Sequence, residues 1–544
     1  MPCICICLAA TGNALSPLTV EEKVGQLLMV HFNGEEANSD AQRLIQNAHV
    51  GAIIYYNWSN GLHSPLQVQR LSNGLQKMAA ASSTGIPLLI TTDQEGGVVV
   101  RLNQGFTSFP GNCSLARTHH PELAEPCAVA IAEELRAVGI NMNLAPDVDI
   151  NNNPLNPIIG VRAFSSSPEE VALLGASTLQ GYRSVNVITT LKHFPGHGDV
   201  TADSHAELPV LAKSLEELDR NELLPFKKLA RLADVIMTGH LIVSAIDPVH
   251  CATLSQPILE GLLRDKIGFQ GVIISDSLIM EGVLKNAGSI DNAAVMAIQA
   301  GCDMLIFGGR QLIGSRNGFE LTTEDIFRIH QHLVNAVRTG AISKERLDAS
   351  VERILALKEK YKLFDTPPAT ETAIVQHVKT AKHRELAKQI ADLSTSIVKG
   401  GSLLPMGISA KSVCIILPAV VQDTILETTL QSIGKERRFV VYPNLDPDAS
   451  FTQQAVTTAK DADLVLMFSY NGWKNQGQQR LAQALASQGR PLLVVALCDP
   501  QDNSFFTQAD VFIDTFSPSS TSIQAALDKL FGKTFSIAKI CLIL

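Results

Sequence analysis

The sequence predicts an α/β protein: a (β/α)8 TIM-type barrel followed by a smaller α/β sandwich domain on an open parallel sheet. Eight short apolar runs alternate with amphipathic helical patterns, polar residues directly follow those runs, and five more strand-like runs come later. Apolar strands that alternate with helices indicate a parallel sheet covered on both faces, and eight such units fit a closed barrel. A chain of 544 residues is also too long for a single ordinary core.

The eight barrel strands are expected in apolar runs that each stop at polar residues. In chain order they are VGQLLMVHFNG from Val24, GAIIYYNW from Gly51, PLLITTDQEGG from Pro87, INMNLAPDVDI from Ile140, VITTLKHFPGHG from Val187, DVIMTGHLIV from Asp234, GVIISDSLIMEG from Gly271 and DMLIFGG from Asp303. Helical patterns begin at Pro168 and at Ser214 between these runs, and a further one from Lys344 ends the barrel.

A second domain follows the Pro/Thr-rich stretch DTPPATET, which has the composition of a linker. Its strands are expected in SVCIILP from Ser412, RFVVYP from Arg438, ADLVLMFSY from Ala462, PLLVVALCD from Pro491 and ADVFIDTF from Ala509. The predicted divisions are a signal-like segment (1–16), the barrel (17–365), a linker with the start of a connecting helix (366–384) and the sandwich (385–544). The second domain carries no glycine-rich phosphate motif, so we interpret it as a scaffold.

Charge and composition exclude several classes of protein. The formal charge is 44 − 53 = −9, which argues against a nucleic-acid binder. Two tryptophans are too few for a broad aromatic platform of the lectin kind. The ten cysteines include no C-x-x-C pair, so buried free thiols are expected rather than disulfides or a zinc site.

The amino terminus, MPCICICLAATGNALS, resembles the end of a secretory signal with cleavage after Ala14, although it lacks a positively charged region. This pattern favours an exported or periplasmic location, with the cytoplasm as the alternative. No other apolar run approaches the roughly 20 residues that span a bilayer, so no transmembrane segment is expected.

Polar side chains follow the apolar runs directly. In a barrel such positions share the carboxyl-terminal rim, where catalytic groups lie. They are Asp93, Asp147, Lys192, His193, His240 and Asp276. Loops are polar in any protein, but a carboxylate that directly abuts a buried strand is desolvated and needs partners or a function. We therefore interpret this set as a functional site.

The loop KHFPGHGDVTADSHAELP, which begins at Lys192, contains three histidines and has three interpretations. A metal site would use His193, His197 and His205 with Asp203, but their spacing matches no zinc motif. A second interpretation is a polar loop without chemical function. The third is an acid–base pair, because an aspartate held against one imidazole nitrogen fixes the tautomer and raises the basicity of the ring. We favour this pair, formed by Asp203 and His205.

Asp276, at the end of the seventh predicted strand, is the natural nucleophile or electrostatic partner of that pair. A carboxylate nucleophile with a separate proton donor is the apparatus of a retaining glycosidase, here with histidine in the place of one of the usual two carboxylates. The residues alone leave that assignment open.

Several motifs, in family order, resemble glycoside hydrolase family 3 in its β-N-acetylglucosaminidase branch (the NagZ type). They are DQEGG with Arg101, NPIIGVRAF, KHFPGHG followed by DSH and LP, ELLPFKKL, and SDSLIMEG. The resemblance covers the whole predicted barrel, and the two-domain layout is similar to larger members of the branch.

The resemblance implies a role for each matching position. Asp276 would be the nucleophile, His205 the general acid/base and Asp203 its orienting partner. Substrate-binding positions would be Asp93, Arg101, Arg162, Lys192, His193 and His240. Two positions depart from the family pattern: Val98 stands where an arginine is frequent, and Ser277 stands where an aspartate often follows the nucleophile.

The resulting hypothesis is an exo-acting, retaining β-N-acetylglucosaminidase that removes terminal GlcNAc from peptidoglycan fragments without metal or organic cofactor. Its expected partner is a small carbohydrate, and neither nucleic acid nor a membrane is expected. Three alternatives stay open: a glycoside phosphorylase, since histidine does not repel phosphate as a carboxylate would; a β-glucosidase of the same family; and an inactive sugar-binding scaffold. The sequence does not indicate the oligomeric state.

Overall fold

The computed structural model describes residues 18–311, 317–405, 411–432 and 436–532. The predicted signal-like segment 1–16 lies outside the described residues. None of the helices in the described part combines the length and the apolar character that a bilayer crossing requires.

The amino-terminal two-thirds contains thirteen strands. They are β1 (Leu28–Val30), β2 (Ala52–Ile54), β3 (Leu89–Thr92), β4 (Gln94–Gly96), β5 (Val99–Val100), β6 (Met142–Asn143), β7 (Ile188–Phe194), β8 (Val210–Leu211), β9 (Val235–Thr238), β10 (Ile242–Val243), β11 (Asp247–Cys251), β12 (Val272–Ser277) and β13 (Met304–Ile306). Eight of them close a parallel barrel in the order β1-β13-β12-β9-β7-β6-β3-β2. Each lies within one of the eight predicted runs, which confirms the barrel.

Helices surround this barrel. They are α1 (Val20–Gln26), α2 (Ser39–Gln46), α3 (Asn57–Asn60), α4 (Pro65–Ala80), α5 (Asn112–Arg117), α6 (Ala124–Ala137), α7 (Pro168–Ser184), α8 (Leu215–Arg220), α9 (Leu223–Leu229), a π-helix (Pro257–Lys266), α10 (Glu281–Ala287), α11 (Ile290–Ala300), α12 (Thr323–Arg338) and α13 (Lys344–Lys360).

Local sequence sets where several of these helices begin. Ser214 and Glu217 form a reciprocal capping box at the start of α8, and Ser167 caps α7 by accepting a hydrogen bond from the Glu170 N–H. The helical stretch predicted from Ser214 is broken into α8 and α9. The break places the buried Glu222 beneath the KHFPGHG loop, where it accepts a hydrogen bond from Lys213.

The carboxyl-terminal domain has a six-stranded sheet in the order β14-β19-β18-β17-β15-β16. Its strands are β14 (Ser396–Lys399), β15 (Ser412–Pro418), β16 (Glu436–Tyr442), β17 (Leu464–Ser469), β18 (Leu492–Ala496) and β19 (Val511–Asp514). Two helices connect the domains: α14 (Glu371–His377), which packs on the barrel helices α4 and α6, and α15 (Ala381–Ser394), which packs on both domains. The helices beside the sheet are α16 (Gln422–Ser432), α17 (Ala449–Ala459), α18 (Gln476–Ala486), α19 (Asp502–Phe505) and α20 (Ser520–Phe531).

The sandwich architecture is confirmed, with one addition. Strands β15 to β19 pair in parallel, as predicted, and β14 adds an antiparallel edge strand on β19. Sequence analysis missed β14 because the four residues of the strand are exposed and do not form the continuous apolar run of the buried strands.

Side chains of β15 alternate between two apolar cores, since neighbouring residues of a strand point to opposite faces of the sheet. Ile415 and Leu417 belong to one core, and Cys414 and Ile416 to the other. The six cysteines of the described residues are unpaired, and five of them are buried, as expected.

The second domain contacts the rim side of the barrel. Val98, in the β4–β5 hairpin, and Val161 pack against one core of the second domain. At the start of α20, Thr521 Oγ1 donates a hydrogen bond to the Ser108 carbonyl at 2.9 Å. The domain therefore covers the β3 and β6 side of the rim.

Candidate active site

Asp203 and His205, the two residues of the predicted acid–base pair, are in contact. His205 Nδ1 lies 2.7 Å from Asp203 Oδ1, and the same oxygen accepts the His205 backbone N–H at 2.9 Å. Burial by itself would lower the pKa of His205, but the hydrogen bond and charge of Asp203, together with the charge of Asp276, raise it. The Asp203 pKa is lowered: burial opposes that change, and the bond from His205 outweighs it. The arrangement leaves Nε2 of His205 as the nitrogen for proton transfer.

The loop that carries this pair is fastened to the segment that follows β12. The Gly282 N–H donates to the Ser204 carbonyl at 3.1 Å, and His197 Nε2 lies 3.1 Å from Ser204 Oγ. A β-carbon at Gly282 would lie 2.7 Å from the Ser204 carbonyl oxygen, so this close approach requires glycine. The loop is thereby held on the same side of the rim as Asp276.

Asp276 lies in β12 and accepts the Ser277 N–H at 2.7 Å. Burial raises its pKa, but the neighbouring imidazoles of His240, His193 and His205, with the Ser277 N–H, outweigh burial and lower that pKa. The carboxylate is therefore ionised at neutral pH, as a nucleophile must be.

His240 is fully buried beside Asp276. Its Nδ1 lies 2.8 Å from Thr253 Oγ1, and its Nε2–H donates to the Ser277 carbonyl at 2.9 Å. Both ring nitrogens therefore have protein partners, and the ring supports the backbone that carries Asp276.

A buried ionic network lies on the opposite side of the rim. Lys192 Nζ contacts Asp93 Oδ1 at 3.0 Å and Glu95 Oε1 at 2.6 Å. Arg162 donates to both oxygens of Glu95, from Nε at 3.1 Å and from Nη2 at 2.9 Å. Arg101 Nη2 reaches Asp93 Oδ2 at 3.4 Å. Burial alone would raise the pKa of Glu95, but the charges of Arg162 and Lys192 lower it, so this pocket holds fixed charges of both signs.

His193 joins this network through Arg162 and is held from its other side by Asp149. Its Nδ1 lies 2.6 Å from Asp149 Oδ2, and Arg162 Nη2 lies 3.4 Å from its Nε2. Burial, followed by the Arg162 charge, lowers the pKa of His193 to about 4, so the ring is neutral. In that state Nδ1 donates to Asp149 and Nε2 accepts.

Asp147, Asp149 and His193 also bring one potential metal ligand each within 4.8 Å of one another. Most of their atoms are already engaged, since Asp149 accepts the N–H groups of His193 and His197, and Asp147 Oδ1 accepts the Asp149 N–H. The second oxygen of Asp147 accepts no hydrogen bond from the described residues, but it lies 3.4 Å from the Arg162 guanidinium. This geometry fits a hydrogen-bonded support for His193, and we assign no ion to it.

The structure thus brings the predicted residues into two groups across the barrel mouth. The first holds Asp93, Arg101, Arg162, Lys192 and His193, and the second holds Asp203, His205, His240 and Asp276. Sequence analysis missed Glu95, which links Lys192 to Arg162, and Asp149. The motif DQEGG offered a signal for Glu95, because it contains a second carboxylate two residues after Asp93.

The family model for the "Glycosyl hydrolase family 3 N terminal domain" matches residues 19–357. The chain belongs to glycosyl hydrolase family 3. It is therefore a glycoside hydrolase, and the match covers all eight barrel strands and both groups of predicted site residues.

Several relatives extend this family assignment. The chain is 32% identical to the beta-hexosaminidase A of Pseudoalteromonas piscicida, over 83% of this chain and 78% of the relative. It is 37% identical to a beta-hexosaminidase of Pseudomonas aeruginosa (strain LESB58), over 51% of this chain and 80% of the relative. A solved family 3 beta-N-acetylglucosaminidase from Paenibacillus sp. str. FPU-7 superimposes with a TM-score of 0.84 at 35% identity, covering 96% of this chain and 97% of that one.

The two departures from the family 3 pattern have structural explanations. Val98 packs on the core of the second domain, where an arginine would have to be desolvated. Ser277 donates its hydroxyl to the Gly308 carbonyl, and so links the end of β12 to the segment after β13.

Proposed function

We propose that this family 3 hydrolase is an exo-acting, retaining β-N-acetylglucosaminidase that releases terminal GlcNAc from peptidoglycan fragments such as GlcNAc-MurNAc or GlcNAc-anhydroMurNAc. The observation that carries the proposal is the Asp203–His205 pair held on the Asp276 side of the barrel mouth. The two beta-hexosaminidases and the beta-N-acetylglucosaminidase to which the chain is similar support the choice of sugar.

The proposed reaction has two steps. In the first, an Asp276 oxygen attacks the anomeric carbon while the His205 Nε2–H protonates the glycosidic oxygen, so the bond to the aglycone breaks and a glycosyl-aspartate forms. In the second, His205 takes a proton from water, and the resulting hydroxide displaces Asp276 from the same carbon. Both inversions occur at one centre, so the released GlcNAc keeps the β configuration.

Binding of the terminal sugar is assigned to the opposite side of the mouth. We propose that Asp93, Lys192, Arg162, Arg101 and His193 bind its hydroxyl and acetamido groups, since the ionic network fixes donors and acceptors before substrate arrives. Because these groups are already in place, binding energy is not used to order the pocket and can stabilise the transition state. His240 contributes by supporting the backbone at Asp276.

Replacing Asp276 with Ala tests the nucleophile. We expect turnover of an aryl β-GlcNAc to fall at least about a thousandfold, because no other group can form the covalent intermediate. Asp461→Ala, at an exposed position of the second domain, serves as the control and should match the wild type. A mechanism-based fluorosugar should add its mass to Asp276 in the wild type. Turnover of Asp276→Ala within tenfold of wild type would contradict the assignment.

A phosphorylase is the second candidate, favoured by the identity of the acid–base group. A histidine does not repel an incoming phosphate, whereas the carboxylate of most glycosidases would. Adding inorganic phosphate to the reaction and assaying for GlcNAc 1-phosphate separates the two reactions. If free GlcNAc is released at a rate that phosphate does not change, the protein is a hydrolase. Turnover of aryl glucosides alone would indicate a β-glucosidase. A protein that turns over neither aryl β-GlcNAc nor aryl glucosides would be a scaffold.

A further inference from the structure

An exposed aromatic residue lies at the barrel mouth outside both groups of site residues. The Trp58 ring stacks on Tyr56 with 4.4 Å between ring centroids. Tyr56 is 6% exposed, whereas Trp58 is 41% exposed. The guanidinium carbons of Arg310 and Arg101 lie 5.6 Å and 6.0 Å from the Trp58 ring centre. We call Trp58 with Arg310 the tryptophan platform.

This platform is built into the rim. Tyr56 lies two residues after the end of β2, and a β-carbon at Gly308, after β13, would lie 3.1 Å from the Tyr56 hydroxyl. Asn57 Nδ2 donates to the Arg101 carbonyl at 2.8 Å. This bond connects α3, which carries Trp58, to the residue that follows the β4–β5 hairpin. Burial raises the pKa of the Tyr56 hydroxyl, and the nearby charges of Asp93 and Asp276 raise it further, so the inner ring of the stack lies close to both groups of site residues.

Strand order places the platform on a part of the rim where, among the described residues, neither the two site groups nor the second domain lies. The sugar-binding network lies on β3, β6 and β7, and Asp276 lies on β12. The second domain covers the β3 and β6 side through Val98 and Val161. The remaining arc is β13-β1-β2, and it carries Arg310 and Trp58. The leaving sugar of a longer substrate would extend over this arc.

We propose that the tryptophan platform is the subsite for the leaving sugar, with Trp58 stacking on its pyranose ring and Arg310 binding a carboxylate that this sugar carries. The inference rests on the proposed function and adds the residues that would recognise the leaving sugar of its substrate, an anionic pyranose β-linked to GlcNAc. An exposed indole offers a rigid apolar face to the C–H groups of a sugar. The Arg310 guanidinium has five N–H donors. Its Nε and Nη2 contact one carboxylate oxygen of Glu320.

Substitutions of Trp58 test the stacking. The probes are chitobiose, whose leaving sugar is neutral, and GlcNAc-β1,4-MurNAc, whose leaving sugar carries a lactyl carboxylate. We expect Trp58→Ala to lower kcat/KM for both about tenfold or more, and Trp58→Phe to retain most of it. The inhibition constant of free GlcNAc should stay within about twofold of wild type, since that sugar occupies the inner pocket. Phe505→Ala, which removes a similarly exposed ring (43%) in the second domain, is the matched control.

Substitutions of Arg310 test the carboxylate. The readout is the ratio of kcat/KM for GlcNAc-MurNAc to that for chitobiose. Arg310→Met should lower this ratio about five- to tenfold, and Arg310→Lys should retain part of it, because the charge persists without the planar fork. Glu320→Gln should raise the ratio, because it releases the guanidinium from a competing carboxylate. An unchanged ratio in Arg310→Met would overturn the carboxylate assignment.

Binding measurements separate this inference from the proposed function. Calorimetric titration of both disaccharides into Asp276→Asn, with and without Trp58→Ala, measures the platform without turnover. If the wild type releases no GlcNAc but Trp58→Ala weakens binding about tenfold, the proposed reaction is wrong and the platform stands. If the wild type is active and Trp58→Ala matches it in turnover and binding, Trp58 only packs on Tyr56 and the platform is refuted.

Discussion

At the scale of single residues, the site depends on one imidazole whose basicity is set by its partner. Asp203 holds Nδ1 of His205 at 2.7 Å and raises the pKa of the ring against the opposing effect of burial. In the proposed reaction His205 is the general acid, which must be protonated when substrate binds, so the raised pKa would extend the active range toward higher pH. The adjacent charge of Asp276 acts in the same direction.

Replacing Asp203 with Asn should therefore change the pH profile as well as the rate. Without the carboxylate, burial dominates and the His205 pKa falls, so the alkaline limb of kcat/KM should move to lower pH. We also expect kcat/KM at its optimum to fall at least about tenfold, since the tautomer is no longer held by a charge.

Asp199→Asn provides the control for this pH profile. Asp199 belongs to the same loop but pairs with Lys213 at 2.5 Å. Its removal should leave the alkaline limb in place. An alkaline limb of Asp203→Asn that coincides with that of the wild type would show that His205 is not the group that titrates.

At the scale of elements, the KHFPGHG motif spans the end of β7 and the loop after it, and it brings His193 and His197 onto Asp149. The loop passes so close to the segment after β6 that a β-carbon at Gly198 would lie 1.7 Å from the Ile150 carbonyl oxygen. At Gly196, φ is +132°, and a β-carbon would meet Glu222 at 2.7 Å. The glycines of this motif are thus required by close packing of backbone against its neighbours.

We expect Gly198→Ala to separate the loop from the Asp149 segment. Overpacking of this kind destabilises by about 1–3 kcal/mol, and displacement of His193 and His197 should lower kcat/KM by more than tenfold. Urea unfolding and steady-state kinetics measure the two effects. Gly261→Ala is the matched control, since nothing lies within 4 Å of a β-carbon there, and it should be neutral or stabilising. Equal behaviour of the two variants would refute the packing argument.

At the scale of the whole molecule, a buried ion pair connects the barrel to the second domain. His383, in α15, places Nδ1 3.0 Å from Glu134 Oε1 and Nε2 2.9 Å from Glu133 Oε2, both on α6. Glu134 also accepts the Thr107 and Lys379 N–H groups. Burial would lower the pKa of His383, but the two carboxylates outweigh burial and raise it, which favours the charged ring.

Replacing His383 with Gln should destabilise the chain in a pH-dependent way. Removing one partner of a buried pair costs about 3–5 kcal/mol. Because the folded-state pKa lies above the unfolded value, this stabilisation is complete below the unfolded pKa, near 6.5, and disappears as pH rises through the folded pKa. The difference in unfolding free energy between wild type and variant should therefore shrink with rising pH.

His63→Gln is the control for that pH series. His63 forms an ion pair with Glu35 at 2.9 Å, but both side chains are more than half exposed. Exposed pairs contribute little, so this variant should follow the wild type at each pH. A stability difference for His383→Gln that does not depend on pH would show that the ring is neutral in the folded chain.

Sequence patterns predict those features that are encoded by residues adjacent in the chain. The eight barrel strands and five strands of the sandwich were predictable because each buried strand is a continuous apolar run. The exposed strand β14 has no such run, and its pairing with β19 is decided by the fold. Partners such as Glu95 and Asp149 could not be assigned, because carboxylates are frequent and only the strand order decides which cation each one meets.

The sequence by itself determined the barrel, the second domain and the family, since periodicity and motif order are written along the chain. The tertiary structure decided which charges meet across the mouth: that Glu95 joins Lys192 to Arg162, that His240 supports Asp276 from behind, and that Trp58 occupies the β13-β1-β2 arc of the rim. Those contacts join residues far apart in the chain, and their energies depend on distance and burial, which exist only after the barrel has closed.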